Sequence, residues 1–361
     1  TAVGVFALQK NTTGYQNTAV GFESLHDNTE AHDNVALGAY ALHKNTTATA
    51  NTGLGFQTLF TNTVGHSNTA VGFKAMLDST TGDYNTGIGR DALANNTTAD
   101  NNTAVGYQSL ASTTTGTENV AVGVSALQEN TTAQRQTAVG FQALAAATTG
   151  IGNTAVGWKA MYQANGAATQ NTAVGRTALG SLTTAAQNTG VGCDALYSVT
   201  TGDQNTSLGN RAGDVTTTGT NNTTIGYAAD PSSNTASNQV TLGNGSVSSI
   251  RAQVQSISAL SDRRDKKNIK DLEIGLNFID DLKPVTFDWN RRDGTKPGKK
   301  EVGFIAQDLD ETQIKYNLEE HLEIVLKDNP DKLEAAPGKI LPILVKAIQE
   351  LKAEIEELKK K

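Results

Sequence analysis

Thr137-Ala138-Val139-Gly140-Phe141-Gln142-Ala143-Leu144 is one statement of a motif that returns along the first two-thirds of this chain. The period is 17 residues. The motif's glycine falls at Gly4, Gly21, Gly38, Gly55, Gly72, Gly89, Gly106, Gly123, Gly140 and Gly157, then, after a one-residue insertion, at Gly175, Gly192, Gly209, Gly226 and Gly243. Before each glycine stands Val, Leu or Ile, as in Val3, Leu37, Ile88, Val156 and Leu242. Four residues after it, the first twelve units carry Leu or Met, as in Leu25, Met76, Leu127, Met161 and Leu196. A polar turn follows, and an Asn closes most units, as at Asn17, Asn68, Asn119 and Asn188. A period of this kind predicts a solenoid, here two short strands per coil separated by turns, with the asparagines hydrogen-bonded in ladders from coil to coil. Side chains alternate faces along a strand, yet Ala-Val-Gly is small or apolar on both. One face belongs to the coil's own interior; the other calls for a neighbouring chain, which favours a parallel homotrimer. Fifteen coils at about 4.8 Å of rise each make a rod on the order of 70 Å long.

The charge separates two bodies. Residues 1–245 hold 8 Lys and Arg and 14 Asp and Glu, whereas the remaining 116 residues hold 21 and 22. A net charge of −7 leaves no basic footprint for nucleic acid and disfavours anionic membrane surfaces. No apolar run approaches the length of a membrane span, so no membrane insertion is expected. Cys193 is the sole cysteine, which excludes an intrachain disulfide and a thiolate metal cluster; no cofactor or metal is expected. Thr1 already lies inside a repeat, so the chain reads as a segment of a longer protein.

The rod offers little chemistry of its own. His26 and His43 share a repeat position one coil apart and are placed to stack, or are simply solvated turn residues. Phe22, Phe56, Phe73, Tyr107, Phe141 and Trp158 each follow the repeat glycine; such a ladder suits either packing between chains or contact with a sugar or receptor. The acidic residues show no fixed spacing that would pair two carboxylates across a glycosidic bond.

The repeat dissolves after Gly245. Across a neck of residues 246–260, Val247, Ile250, Val254 and Ile257 suit a short coiled coil and extended strands equally well. Residues 261–361 then form a dense, charged body. At its start stand Ser261 and, five residues on, Lys266. A serine and a lysine can do nucleophilic chemistry if the lysine is desolvated enough to be neutral and take the hydroxyl proton. Ser261 followed by Asp262 also reads as a helix N-cap, and Lys267 is a competing base. Gly294–Lys300 reads as an exposed basic loop. A helix over about 338–361 carries a seam of Leu341, Leu344, Ile348, Leu351, Ile355 and Leu358, flanked by Glu and Lys, with Pro342 near its start where a missing N–H is tolerated. Its Ile and Leu pattern by itself leans towards two strands; the trimeric context outweighs so short a seam.

The repeat resembles the left-handed β-roll in the heads of trimeric autotransporter adhesins, though the adhesin unit is shorter. That resemblance implies the handedness and the trimer packing. Downstream, four blocks occur in series: Ser261-Asp262-x-Arg264-x-Lys266 with Ile269; Leu282-Lys283-Pro284-Val285-x-Phe287-Asp288-Trp289; Val302-Gly303-Phe304-Ile305-Ala306-Gln307-Asp308-Leu309; and the closing helix. Together they resemble the endosialidase-type intramolecular chaperone domain of phage tail fibres and tailspikes. The resemblance implies a small α+β domain that trimerises, templates the folding of the β-structure upstream, and releases itself with a Ser–Lys dyad. Ser261 is then the nucleophile and Lys266 the base, the cut falling next to Ser261 with Ser261–Asp262 the family's usual bond; Asp262 and Arg264 match the motif without an assigned role. Attack by Ser261 on the Leu260 carbonyl passes through a feasible five-membered ring, whereas attack on its own carbonyl needs a strained four-membered one. Cleavage after Ser261 therefore calls for a neighbouring protomer or for Asp262.

The expectation is a mainly β, trimeric solenoid shaft with a self-cleaving chaperone: a phage tail-fibre or tailspike segment, assembled in the host cytoplasm into the virion and directed at a host receptor or glycan. A bacterial trimeric surface adhesin with the same module is the rival reading. A membrane-released transcription factor ranks last for want of DNA-binding and transmembrane segments.

Overall fold

A computed structural model describes residues 1–251, 253, 259, 261–291 and 298–361. The neck positions Val254 and Ile257, Leu260, and residues 294–297 of the basic loop lie outside the described residues. Two compact units are distinguished, Thr1–Asn244 and Gly245–Lys361.

In the first unit fifteen strands of two or three residues, β1 (Ala2–Val3) through β15 (Val240–Leu242), stack in chain order into one parallel sheet. Partners lie 17 residues apart, as in Thr103 with Val120 and Val105 with Val122. The insertion is absorbed in one step of 18, Thr154 with Thr172, without loss of register. In every strand but the first and last the middle residue is enclosed (Ala19, Ala104, Ala155), and so is the Leu or Met four residues after the glycine in coils such as those of Leu25, Leu110 and Met161. The residue before the glycine points outward instead: Leu37, Val122, Val139 and Ile225 are all exposed. The interior is thus a narrow column of alanine and leucine.

The second strand per coil that the sequence suggests does not form; isolated bridges linking Gln134, Ile151, Thr169 and Ala186 mark its place in four coils. The reason is backbone geometry. In the coil of Gly106, the residues two and four after the glycine and the one before the closing Asn119 take left-handed φ: Gln108 at 53°, Leu110 at 50° and Glu118 at 61°. Left-handed backbone costs an L-residue about 1–2 kcal/mol. The turn it makes sends alternate N–H groups to opposite sides, Gln108 N to Arg90 O in the coil before (3.0 Å) and Leu110 N to Ala126 O in the coil after (3.0 Å). Each arc is therefore bonded to both neighbours. The glycine itself is obligatory: Gly106 sits at φ +135°, and a Cβ there would lie 2.5 Å from Gly123 O.

The asparagine ladder forms as expected. Asn102 N donates to Asn85 Oδ1 (3.0 Å), Asn102 Nδ2 donates to Gly116 O (2.9 Å), and Asn102 Oδ1 accepts from Asn119 N (3.0 Å) and Asn119 Nδ2 (3.0 Å). The same backbone-to-side-chain bond recurs from Asn34 to Gln239, with Gln136 standing in for one asparagine. A shorter ladder joins Asn11, Asn28, Asn45 and Asn62. Threonine hydroxyls of the turn, such as Thr97 Oγ1 to Thr114 O (3.1 Å), make a further set.

The second unit is small and mixed. Helix α1 (Leu276–Asp281) leads into a hairpin, β16 (Val285–Asp288) paired antiparallel with β17 (Lys300–Gly303). Then come α2 (Ala306–Lys315), α3 (Glu319–Leu322), the short antiparallel pair β18 (Val325–Leu326) and β19 (Glu334–Ala335), and α4 (Leu341–Lys360), entered through a 3₁₀ turn at Pro337–Ile340. Phe278, Leu309, Ile324, Val325, Ile340 and Ile343 form its core. Glu350 of α4 ties down α1 by accepting Leu276 N–H at 2.8 Å. Beyond Glu350, α4 is exposed.

Candidate active site

Ser261 and Lys266 flank a single 3₁₀ turn, Arg263–Asp265. Five residues of extended chain would hold their side chains far apart; the turn brings them together. It is started by Asp262, not Ser261: Asp262 Oδ1 accepts Arg264 N–H at 2.8 Å, so the aspartate is the N-cap that the sequence allowed for the serine. Asp265 N to Asp262 O (3.2 Å) and Lys266 N to Arg263 O (3.2 Å) close the turn. Arg264 folds back over the cap, with Nε 3.1 Å from both carboxylate oxygens and Nη2 2.6 Å from Oδ2. The Arg264 guanidinium holds the Asp262 carboxyl below the usual carboxylate range, and the carboxylate in turn raises the arginine. At the far end, Lys266 Nζ lies 2.6 Å from Ser261 Oγ. Among the described residues, Lys267, the competing base, makes no such contact.

Serine, lysine and their hydrogen bond are exposed in the single chain. A serine–lysine pair becomes nucleophilic where the lysine is desolvated, so this geometry needs something to cover it. The Leu260 carbonyl, the electrophile of the five-membered route, lies outside the described residues.

The remaining blocks build the domain that carries the turn. Leu282–Trp289 runs from the end of α1 through β16, with Phe287 packed edge-on against Trp289 and Trp289 Nε1 donating to Glu301 of β17. Val302–Leu309 runs from β17 into α2 and supplies the buried Leu309. Along α4, the seam residues Leu341, Leu344, Ile348, Leu351, Ile355 and Leu358 are all exposed.

In the solenoid, His26 and His43 stack, ring centroids 5.0 Å apart and 4° from parallel. Each is held by a carboxylate, His26 by Asp27 and His43 by Glu23. Phe60 at the same repeat position extends the stack, which its equal spacing from His43 could have announced. The glycine-following aromatics also stack along the axis, Phe56 on Phe73 and Phe141 on Trp158. Their faces are turned to one another, leaving edges outward, a poorer platform for a sugar ring than an open face. Among the described residues no group of three or more metal-ligating side chains converges, and no helix is long and apolar enough to cross a membrane.

The family model described as chaperone of endosialidase, peptidase S74, matches residues 261–321. That span opens on Ser261 and takes in the turn, α1, the hairpin, α2 and the start of α3, so the second unit carries a domain of this family. Two curated proteins are similar over part of the chain: the long tail fiber proteins Gp37 of Enterobacteria phage M1 and of Enterobacteria phage Ox2, each 40% identical over 101 residues. The match covers 27% of this chain and 38% of either relative. No solved structure matches.

Proposed function

We propose that this chain is a segment of a phage tail fibre whose solenoid forms the shaft of a homotrimer, and whose C-terminal domain aligns three chains and then cuts itself away next to Ser261. The observation that carries the reading is the 2.6 Å approach of Lys266 Nζ to Ser261 Oγ at the first residue of a chaperone-of-endosialidase domain. In the step proposed, Ser261 Oγ–H passes its proton to the neutral Lys266 amine and the oxygen adds to a backbone carbonyl. The amine returns the proton to the leaving peptide nitrogen, leaving an ester on Ser261. One water hydrolyses that ester to a carboxylate and restores the hydroxyl. The exposure of the pair in one chain is consistent with a neighbouring protomer supplying the desolvation.

Trimerisation is supported by two apolar surfaces that one chain leaves open. The seam of α4 is one. The other is the column of residues before the glycines, aliphatic in all fifteen coils and half-buried or exposed from Val3 to Leu242. A partner that covers equally spaced rungs must itself repeat at that spacing, as a parallel copy of this chain does. The relatives' name, long tail fiber protein, supports a virion component that meets a host surface receptor or glycan.

Expression of the full chain followed by denaturing electrophoresis tests the cleavage. Two fragments meeting at Ser261 are expected from the wild type, and one intact chain from Ser261→Ala or Lys266→Ala. A wild-type chain that trimerises yet stays whole refutes it.

A further inference from the structure

Lys266 has two aspartates within four residues of it, Asp262 and Asp265, and among the described residues it forms an ion pair with neither. Its ammonium would gain from either, and a lysine so paired is a poor base because a nearby carboxylate favours the charged form. Asp262 is withheld from it. Both of its oxygens are taken by Arg264, and one of them also by the Arg264 backbone N–H. From this we infer that Arg264 is a positioning residue for the cleavage, clamping Asp262 so that the turn presents Lys266 to Ser261 while the carboxylate is kept off the amine. The inference rests on the Ser261–Lys266 reading above. Arg264 acts through Asp262 and Lys266; it touches no reacting atom.

Among the described residues, the charged neighbours of the amine in its own turn are Asp262, Arg263, Arg264, Asp265 and Lys267. With the guanidinium in place, the Asp262 charge is neutralised by Arg264 and is not available to the amine. Without it, Asp262 is free to pair with Lys266, and a higher pH is needed to strip the proton. A helix-cap role alone would change the amount of folded chain but not the pH at which folded chain cuts. The two roles are therefore separable.

The rate of fragment appearance is measured on the full chain as a function of pH for wild type, Arg264→Ala, Arg264→Lys, Asp262→Asn and the double variant Asp262→Asn/Arg264→Ala. Circular dichroism and sedimentation report folding and assembly. For Arg264→Ala the midpoint of the rate profile is expected to move at least about one unit to the alkaline side, about a tenfold loss of rate on the rising limb. Arg264→Lys, which keeps the charge but not the fork, should retain a midpoint near wild type at a lower rate. Adding Asp262→Asn to Arg264→Ala should return the midpoint towards wild type, because the competing carboxylate is gone. An Arg264→Ala midpoint equal to wild type overturns the inference, whatever its rate; so does a double variant as alkaline-shifted as the single one. If Arg264→Ala fails to fold, the Asp262→Asn profile decides: an acid-side shift is expected, and an alkaline shift overturns the inference. The underlying dyad fails by a different result, Ser261→Ala or Lys266→Ala chains that still cut.

Discussion

Replacing Asn102 by alanine removes one rung of the longest ladder in the solenoid, and the loss can be worked out from its bonds. Asn102 is fully buried. Its side chain satisfies two backbone groups in the turn and the next coil, Gly116 C=O and Asn119 N–H, and the structure gives neither a second partner. Asn119 Nδ2 also loses an acceptor but keeps Ala133 O at 2.9 Å. A buried backbone group left without a partner costs about 1–3 kcal/mol, so two of them cost about 2–6 kcal/mol. At about 1.4 kcal/mol per tenfold, the local opening constant should rise between about 30-fold and 10⁴-fold. Because a solenoid's stability sums over coils and their nearest-neighbour contacts, the effect should stay local. Native-state hydrogen exchange is the assay. Amides around the rung, Gly106 to Ile88 O and Gly123 to Val105 O, should lose protection, while those of Gly38 and Gly209 keep it. Asn95→Ala, an exposed asparagine seven residues away, should change nothing measurable. If Asn102→Ala exchanges like Asn95→Ala, or if protection falls equally from end to end, the ladder is not what holds neighbouring coils together.

Gly106→Ala should be damaging for a separate reason: a φ of +135° costs a side-chain-bearing residue about 1–3 kcal/mol, and the Cβ at 2.5 Å from Gly123 O adds about 1–3 kcal/mol of overpacking. A thermal transition unchanged from wild type would show that the coils can spread. Ile348→Lys, on an exposed seam, should leave the helix content of the chain intact and abolish the proposed trimer in sedimentation; a trimer that survives removes α4 from the assembly. Asp281 joins α1 to α2 through Lys315 Nζ and Tyr316 Oη, both at 2.6 Å, and its carboxyl is lowered from 3.8, chiefly by the Lys315 bond. A lowered acid stabilises the fold above its unfolded pKa, and that contribution is lost as the pH falls from about 3.8 through the folded value. Asp281→Asn should accordingly lack this acid-side loss when unfolding of the chain is followed from pH 5 downwards.

The stacking of the coils was legible because it is a pairing of like with like: a 17-residue period puts Val105 beside Val122 and Asn102 beside Asn119 whatever the turns do. The path within a coil was not. Left-handed φ is usually announced by Gly, Asn or Asp, but here it falls on Gln108, Leu110 and Met76, whose side chains give no such sign. Those angles are imposed by the axial bonds they allow, and such bonds exist only once a neighbouring coil is there. The proximity of Ser261 to Lys266 was likewise open from local sequence, since Ser-Asp reads as a cap with either residue in the role. Arg264 decides it by engaging the Asp262 carboxylate, and a pairing two residues long leaves no periodic trace.

The uniformity that makes the solenoid readable is also its weakness as an assembly. Each coil presents almost the same surface as the next: a buried alanine or glycine, an outward aliphatic residue, an asparagine rung. In the trimer proposed here, sliding one chain by a whole coil would keep nearly every rung of the outward column opposite another aliphatic residue. The difference between correct and slipped registers is then confined to the ends and to the positions that break the repeat, such as the 18-residue step at Thr154–Thr172 and the Arg90 and Arg176 that replace aromatics in the glycine-following column. That is a small bias set against fifteen favourable coils, and a pairing weakly specified by its side chains is prone to slip. Register therefore has to come from outside the repeat. The seam of α4 is short, so a slip of one heptad there strips partners from two of its six apolar positions, whereas a slip of one coil strips only one coil of fifteen. Once the coils have closed, each is bonded to both neighbours through backbone, asparagine and threonine, and unfolding must break these together. The aligned state can then persist by the height of that barrier alone, and an aligning domain that is cut away takes nothing from it.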